Sequence, residues 1–204
     1  MITIVTLFWD ANVKSMDFSR VYSEEWVEKL YRGFARNLTE PFRFICYTDR
    51  IREYGEPIEQ VLLSDARPNY GSCIEPYKLG KPMILVGLDA VITGSLDHLV
   101  RYCFEERRIA LPRAVYKKNT VCNGVALVPA GHSDVYHRHR GENDMEWMRE
   151  QLYSVIDNLF PGHVVSYKGH VKANGLGDAR IVFFHGEEKP HQLPNVKWLR
   201  KHWV

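Results

Sequence analysis

The stretch Ile84–Leu99, ILVGLDAVITGSLDHL, decides the fold expected for this chain. It is an apolar, β-branched run that predicts a buried strand, and it carries one acid, Asp89, in its middle. A carboxylate in such a run is costly unless it is ion-paired, hydrogen-bonded or bound to a metal. At the carboxyl end of a buried strand, an acid can hold a cation or polar ligand in the crevice of an α/β sheet. The alternative is a turn acid, or a core acid satisfied by backbone amides.

The segment before this stretch predicts a strand, a helix and a second strand. Ile2–Trp9 is an apolar run that ends in a polar loop, and Phe42–Tyr47 is an alternating run closed by Thr48 and Asp49. Between them a helix with Ser23 as its N-cap is expected. Its apolar face is formed by Trp26, Val27, Leu30, Tyr31, Phe34 and Leu38. This βαβ pattern predicts a parallel sheet.

The remainder of the chain alternates in the same way. Further strands are expected near residues 58–63, 108–111, 124–128, 164–167 and 181–184, with a short helix over Leu96–Tyr102. The apolar spacing from Met145 to Leu159 predicts a second long amphipathic helix. Ser64–Lys81 is predicted to be a loop, and loops of that length are often functional. No linker or repeat divides the sequence, so residues 1–204 are expected to form a single domain.

Composition narrows the function classes. The 204 residues are 45% hydrophobic and 25% charged, which is ordinary for a globular protein, and the net charge of +2 gives no global reason to bind nucleic acid or an anionic membrane. The N-terminal segment looks like a strand rather than a signal peptide, and no apolar run is long enough to cross a bilayer, so a cytoplasmic protein is expected. The four cysteines have no metal-finger spacing; we expect free thiols, with Cys46 and Cys122 in the core.

Two segments, one of which contains Asp89, resemble segments of a known protein family. Val86–Leu96, VGLDAVITGSL, is similar to the strand that holds the DxD motif in the nucleotide-sugar glycosyltransferases of the GT-A fold, particularly the family-8-like group. Asp89 stands at the second acid position, and Gly87 replaces the first. Tyr22–Asp49 resembles the first helix and second strand of that group. The resemblance implies an α/β fold with a Rossmann-like mixed sheet flanked by helices.

Two further segments resemble the sugar-binding side of these enzymes. Cys122–Gly131, CNGVALVPAG, is similar to a strand in which an Asn commonly faces the sugar, which places Asn123 in the site. Glu142, Asn143 and Asp144 stand where the group often has an acid–amide pair at a helix start, so Asp144 is a candidate contact for the donor sugar. The alternative for Asp144 is an ordinary acid in the first turn of a helix.

The last similar segment is Phe183–His191, FFHGEEKPH, which resembles the signature that closes over the diphosphate. Gly186, Lys189 and Pro190 keep its spacing, whereas the metal-binding His of the signature would fall at Phe183. The histidine of this chain is His185. Either it reaches the metal from a different turn, or the metal shell has lost another ligand, or it is structural.

The resemblance implies transfer of a sugar from a nucleoside-diphosphate sugar, with UDP as the expected carrier and with retention at the anomeric carbon. The catalytic candidates are Asp89, Asp144 and Asn123. Mn²⁺ or Mg²⁺ is expected on Asp89 and His185 because a divalent cation would neutralise the leaving diphosphate. The other donor-site candidates are Thr6, Asp49, Gly186 and Lys189. The acceptor is open: a glycan, lipopolysaccharide, a protein or modified nucleic acid.

Two other classes of function remain at this point. Gly87 and Phe183 favour a catalytically degenerate protein that binds nucleotide sugar without turning it over. The basic and aromatic segments Tyr136–Arg140 and Val196–Val204 favour a nucleic-acid-binding module or a phosphate-rich acceptor. Alternatively, the first segment is a solvated loop and the second packs Trp198 and Trp203 onto the body of the protein.

Overall fold

The computed structural model describes residues 1–117 and 119–204. The strands in this part of the chain are β1 (Ile2–Phe8), β2 (Phe42–Thr48), β3 (Glu59–Leu62), β4 (Met83–Val86), β5 (Ala90–Ile92), β6 (Ile109–Leu111), β7 (Val125–Val128), β8 (Tyr153–Val155), β9 (Val164–Ser166) and β10 (Ile181–Phe183). The α-helices are α1 (Glu24–Asn37), α2 (Asp97–Glu105), α3 (Asp134–Arg138), α4 (Asp144–Arg149), α5 (Ile156–Leu159), α6 (Lys172–Asn174) and α7 (Lys197–His202). Shorter 3₁₀ segments cover Asp17–Ser19, Tyr70–Leu79 and Pro190–Gln192, and Tyr167–Val171 forms a π-helical turn.

Two sheets organise the protein. The larger has seven strands in the order β3-β2-β1-β4-β7-β6-β8, and the smaller has the order β5-β10-β9. The first four strands of the chain pair in parallel, which confirms the parallel arrangement predicted from the βαβ pattern. Strand β7 is antiparallel to both β4 and β6, so the sheet as a whole is mixed. The amino end of β7 therefore lies at the same edge as the carboxyl ends of β1 and β4.

Helix α1 covers one face of the larger sheet and also contacts the smaller one. Its buried residues are Trp26, Val27, Leu30, Gly33 and Phe34, which agrees with the predicted apolar face. A Cβ atom added to Gly33 would lie 3.1 Å from Cγ1 of Ile92, so the helix approaches β5 closely because this residue is glycine. Ser23 occupies the N-cap position as predicted, but its side chain makes no capping hydrogen bond.

The chain changes sheets at Asp89. Strand β4 ends at Val86, the Ala90 N–H donates to the Gly87 carbonyl at 3.0 Å, and β5 begins at Ala90 in the smaller sheet. The expectation of one continuous strand with the acid in its middle is therefore wrong. Asp89 lies on the turn at the carboxyl end of a buried strand, which is the position expected for an acid that faces a ligand crevice.

Two elements differ from the sequence prediction. The helix expected from Met145 to Leu159 is instead α4, β8 and α5. Tyr153–Val155 pairs in parallel with β6, so sheet formation outweighs the helical spacing of its side chains. Met145, Leu152 and Leu159 are exposed, and they do not form a buried stripe. The expected loop Ser64–Lys81 contains the 3₁₀ segment Tyr70–Leu79, whose first turn is capped by Asn69.

The cysteines are free thiols, as predicted. Cys46 is fully buried, but Cys122 is only partly buried, so its placement in the core was wrong. Within residues 1–117 and 119–204, no helix combines the length and apolar character needed to span a membrane.

Candidate functional site

A cavity of about 630 Å³ opens at the edge where β1 and β4 end and β7 begins. The turn after β4, the start of β7 and the segment after β10 all contribute to its wall. Among the residues predicted for the site, those that line the cavity are Asp89, Asn123, Asp144, His185, Gly186 and Lys189. The structure therefore brings together residues that are up to 100 positions apart in the sequence, at the edge where α/β folds bind ligands.

Asp89 is paired with Lys189. The Lys189 ammonium forms an ion pair with Oδ2 of Asp89, and the same oxygen accepts a hydrogen bond from the Tyr22 hydroxyl at 2.9 Å. The Lys189 side chain is 2% exposed, and its Nζ lies 4.8 Å from the centre of the Phe18 ring. A lysine this deeply buried requires a counter-charge, and the carboxylate supplies it while the aromatic ring adds a cation–π contact.

Tyr22 holds Asp89 in place and was not among the residues predicted for the site. Burial and the neighbouring Asp89 charge raise the pKa of the Tyr22 hydroxyl, so the phenol keeps its proton and remains a donor. Tyr22 lies just before α1, and the apolar pattern that predicts this helix does not include it. No local signal distinguishes this tyrosine, because its role depends on a carboxylate 67 residues away.

A second polar group of the cavity is formed by Asn123 and Asp144. The Asn123 side-chain N–H donates to Oδ2 of Asp144 at 3.0 Å. Burial raises the pKa of the Asp144 carboxyl above its usual range, although the hydrogen bond from Asn123 opposes this shift. Asp144 also begins α4, so the helix-start prediction is correct. Its carboxylate faces the cavity rather than bulk solvent. This position favours Asp144 as a residue of the site over the alternative of an ordinary acid in the first turn of a helix.

Two of the three buried polar side-chain atoms that lack a hydrogen-bond partner within the described residues belong to the cavity. They are Oδ1 of Asn123 and the hydroxyl of Tyr70, and both residues line the cavity. Buried polar atoms without partners are costly, so they indicate a place where a ligand supplies the missing hydrogen bonds. Tyr70 lies in the long segment predicted to be functional, but nothing in the sequence singled it out.

His185 lies in the segment Phe183–His191, and its ring already has a hydrogen-bond partner. Its Nε2 is 2.9 Å from Oγ of Ser166. Burial lowers the pKa of the His185 imidazole, and the nearby ammonium groups of Lys168 and Lys189 lower it further. The neutral imidazole is therefore favoured at neutral pH. The next residue, Gly186, has φ +67°, a conformation that a side chain would strain.

The two residues predicted to bind a divalent cation, Asp89 and His185, already have partners within the protein. Oδ2 of Asp89 is occupied by Lys189 and Tyr22, and Nε2 of His185 is occupied by Ser166. In the part of the chain that the structure describes, no group of three or more His, Cys, Asp and Glu side chains is placed to hold a metal ion. The described residues therefore do not fit a divalent ion held by protein side chains alone. A requirement for Mn²⁺ or Mg²⁺ stays a prediction.

Thr6 and Asp49, predicted to bind the donor, do not line the cavity. The Thr6 hydroxyl is fully buried and donates to the Val86 carbonyl at 2.9 Å, so it ties β1 to β4. Asp49 accepts from the buried Arg52 guanidinium at 2.7 Å and from the Asp10 backbone N–H at 3.1 Å. The structure thus gives both residues partners within the protein.

The basic segments have partners of their own. Arg138 donates to Asp134 at 3.0 Å, and the Arg140 guanidinium donates to the His137 carbonyl at 3.0 Å. In the C-terminal segment, Trp203 packs edge-to-face on Trp26 with ring centres 5.0 Å apart. The expectation that this segment packs onto the body of the protein is confirmed. This packing and the near-neutral total charge give a nucleic-acid-binding module no structural support.

Comparison with known proteins identifies the fold. No protein-family model matches the chain, and no curated protein sequence matches it either. Among solved structures, the glycosyltransferase GlyE of Streptococcus pneumoniae TIGR4 is similar, with a TM-score of 0.60 and 13% identity over 92% of this chain and 55% of GlyE. The galactosyltransferase LgtC, solved with donor and acceptor sugar analogs, has a TM-score of 0.54 and 11% identity over 98% of this chain and 94% of LgtC. The bifunctional glycosyltransferase WbbM gives 0.53 and 8% over 98% of this chain and 50% of WbbM.

These similarities confirm the predicted fold. The mixed sheet flanked by helices is the GT-A fold of glycosyltransferases. The chain spans about half the length of GlyE and WbbM and nearly all of LgtC. At identities this low, the fold is shared and the activity has to be argued from the site.

Proposed function

We propose that this GT-A-fold protein is a glycosyltransferase that moves a sugar from a nucleoside-diphosphate sugar, with a UDP-sugar as donor, to an acceptor hydroxyl. The observation that carries the proposal is the buried ion pair of Asp89 and Lys189 in the wall of a ligand-sized cavity. The same cavity holds the polar pair of Asn123 and Asp144. It therefore offers a positive charge for phosphate and hydrogen-bonding groups for a sugar.

Lys189 provides the charge that the reaction needs. When the bond between the anomeric carbon and the phosphate oxygen breaks, negative charge collects on the leaving diphosphate. The Lys189 ammonium has three N–H donors, and its ion pair with Asp89 leaves others free to bind phosphate oxygens. Because the ammonium is buried, its attraction for that charge is weakly screened by water. Asp89, held by Tyr22, acts by keeping Lys189 in position.

The sugar is proposed to lie against Asn123, Asp144 and Tyr70. The Asp144 carboxylate accepts from sugar hydroxyls, and Oδ1 of Asn123 and the Tyr70 hydroxyl gain the partners that they lack among the described residues. No side chain is assigned as nucleophile or general base. Retention of anomeric configuration and a cytoplasmic location are parts of the proposal that rest on the resemblance alone. The acceptor is a glycan, lipopolysaccharide, a protein or modified nucleic acid.

The test is donor turnover with a panel of UDP-, GDP-, ADP-, CDP- and dTDP-sugars, with and without Mn²⁺. Without an acceptor, we expect slow hydrolysis of one donor, and the NMR coupling of the released anomeric proton reports retention. Asp89→Asn abolishes turnover, and Lys189→Ala both weakens donor binding and abolishes turnover, because Asp89 acts through Lys189. Wild-type turnover by the Asn variant with saturating donor and Mn²⁺ contradicts the role given to Asp89. Turnover that persists in EDTA excludes a required divalent ion.

A catalytically degenerate nucleotide-sugar-binding protein is the second candidate. It is favoured by Gly87, which leaves one carboxylate at the turn, and by the engagement of that carboxylate with Lys189. Calorimetry separates the two functions. Binding of a nucleotide sugar without hydrolysis or transfer supports the degenerate protein, and turnover of the bound donor supports the enzyme.

A further inference from the structure

Lys168 lies at the same edge of the smaller sheet as the diphosphate signature. Strands β9 and β10 run in parallel, and Ser166 at the end of β9 is level with Phe183 at the end of β10. The two segments that leave these strands therefore run side by side. One carries Lys168 in the π-helical turn, and the other carries His185 and Gly186.

The Lys168 ammonium lies behind the cavity wall at Gly186, and Lys168 itself does not line the cavity. A Cβ atom added to Gly186 would lie 3.4 Å from Nζ of Lys168, so the ammonium rests against this backbone. Gly186 itself lines the cavity. Lys168 and Lys189 both act electrostatically on the imidazole of His185. The Lys168 ammonium therefore lies beside the segment after β10, which also carries Lys189.

Lys168 has no carboxylate partner within the described residues. No Asp or Glu oxygen of residues 1–117 and 119–204 forms an ion pair with its Nζ, which distinguishes it from Lys189. Glu188, in the same segment as Gly186, is engaged by Lys172 at 2.9 Å. The Asp89 carboxylate pairs with Lys189, so the Lys168 ammonium has no counter-charge of its own beside Gly186. Such a charge beside a cavity attracts an anion.

The turn that carries Lys168 is well anchored. The Gly169 N–H donates to Oγ of Ser166 at 3.0 Å, and this oxygen also contacts His185. A Cβ on Gly169 would approach Cγ1 of Val115 to 2.7 Å, so the turn packs tightly against the neighbouring loop. Lys168 thus extends from a fixed backbone, which limits the entropy lost when its ammonium binds a ligand.

We propose that Lys168 is a second phosphate-binding residue, which contacts the diphosphate of the nucleotide sugar together with Lys189. The inference rests on the proposed function and adds a residue to its donor site. Two ammonium groups and one carboxylate leave a net positive charge for the diphosphate. Lysine side chains thereby supply positive charge at a place where residues 1–117 and 119–204 offer no set of side chains to hold a divalent cation.

The experiment compares wild type, Lys168→Ala, Lys168→Arg and the control Lys201→Ala, which removes one exposed positive charge from α7. Calorimetry measures three probes: the nucleoside diphosphate that wild type binds best, its nucleoside, and inorganic pyrophosphate. We expect Lys168→Ala to weaken nucleoside-diphosphate and pyrophosphate binding about tenfold or more and to leave nucleoside binding unchanged. The Arg variant keeps most of the affinity, and Lys201→Ala matches wild type. Added salt should weaken diphosphate binding less in Lys168→Ala than in wild type.

The outcomes separate the role of Lys168 from the proposed function. Equal diphosphate affinity for wild type and Lys168→Ala, with turnover intact, overturns the role of Lys168 and leaves the proposed function standing. Failure of wild type to bind any nucleoside diphosphate overturns the proposed function itself. An equal loss of nucleoside and diphosphate affinity also overturns the inference, because it indicates a misfolded site. If Lys168→Ala does not fold, Lys168→Met, which keeps an unbranched side chain of similar length without the charge, is measured with the same probes.

Discussion

At the residue scale, the ion pair between Asp89 and Lys189 connects folding with function. A buried pair is weak support for stability when both charges are present, because desolvation of the two ions offsets most of their attraction. Removing one partner is different, since it leaves an isolated charge in the protein interior. The Lys189 side chain is 2% exposed and the Asp89 side chain 13%, so water cannot compensate easily.

Asp89→Asn is therefore expected to lower the free energy of unfolding by about 3–5 kcal/mol. The double variant Asp89→Asn, Lys189→Met removes both charges and should recover most of that loss. Urea titration of wild type, both single variants and the double variant measures the coupling. Additive losses would show that the two side chains do not interact energetically.

The raised pKa of Asp144 predicts how the free energy of unfolding depends on pH. Burial raises its pKa above 3.8, so the folded protein holds this proton at pH values where the unfolded chain has released it. The free energy of unfolding therefore falls as pH rises from the unfolded pKa through the folded one. Asp144→Asn keeps an oxygen that accepts from Asn123 and removes this fall. We expect the variant to be more stable than wild type at neutral pH, by roughly 0.5–2 kcal/mol.

The measurement for Asp144→Asn is denaturant unfolding at several pH values. The difference from wild type should shrink as pH falls toward 3.8. Turnover should fall in the same variant, because the carboxylate is proposed to bind the sugar. A stability difference that does not change with pH would contradict the buried carboxylate as its cause.

At the scale of elements, the turn between β4 and β5 positions the site. It carries the chain from the larger sheet to the smaller one and leaves Asp89 at the edge shared by both. Helix α1 holds the two sheets together at this point because Gly33 lets it approach Ile92 on β5. The packing of β4, β5 and α1 therefore determines the position of the Asp89 carboxylate.

Gly33→Leu tests this close approach. The new side chain has no room beside Ile92, so we expect a loss of about 1–3 kcal/mol in the free energy of unfolding from overpacking. Glu25→Leu is the matched control, since it adds the same side chain to an exposed position of α1 and should change stability by about 0.5 kcal/mol or less. Equal effects of the two substitutions in urea titrations would show that α1 does not depend on close packing at Gly33.

At the scale of the whole molecule, the C-terminal segment joins α1 to the segment Phe183–His191. Trp203 packs on Trp26 and lies under the Lys29 ammonium, 3.9 Å from its ring centre. Trp26 also contacts the ring of His191, which closes the signature. Arg36 donates to the His202 carbonyl at 2.8 Å and adds a polar tie. The last residues therefore support the segment that carries Lys189.

Trp203→Ala removes the centre of this contact. We expect a loss of roughly 0.5–3 kcal/mol in the free energy of unfolding, because the aromatic packing on Trp26 and the cation–π contact with Lys29 are lost together. Thermal unfolding followed by circular dichroism measures the effect. Lys201→Ala, on helix α7 just before Trp203, serves as the control and should leave the midpoint nearly unchanged. A wild-type midpoint for Trp203→Ala would show that the segment is only loosely attached.

The sequence by itself determined the βαβ start, the strand before Asp89 and the residues of Cys122–Gly131 and Phe183–His191 that reach the cavity. These features depend on local periodicity and on motifs of a few adjacent residues, which one segment carries alone. Tertiary structure decided that Lys189 is the partner of Asp89, that Tyr22 and Tyr70 belong to the cavity and that Thr6 and Asp49 do not line it. It also made Tyr153–Val155 a strand rather than part of a helix. The physical reason is the same in each case: the partner of a charge, a hydroxyl or a strand edge lies far away in the chain, and packing chooses it.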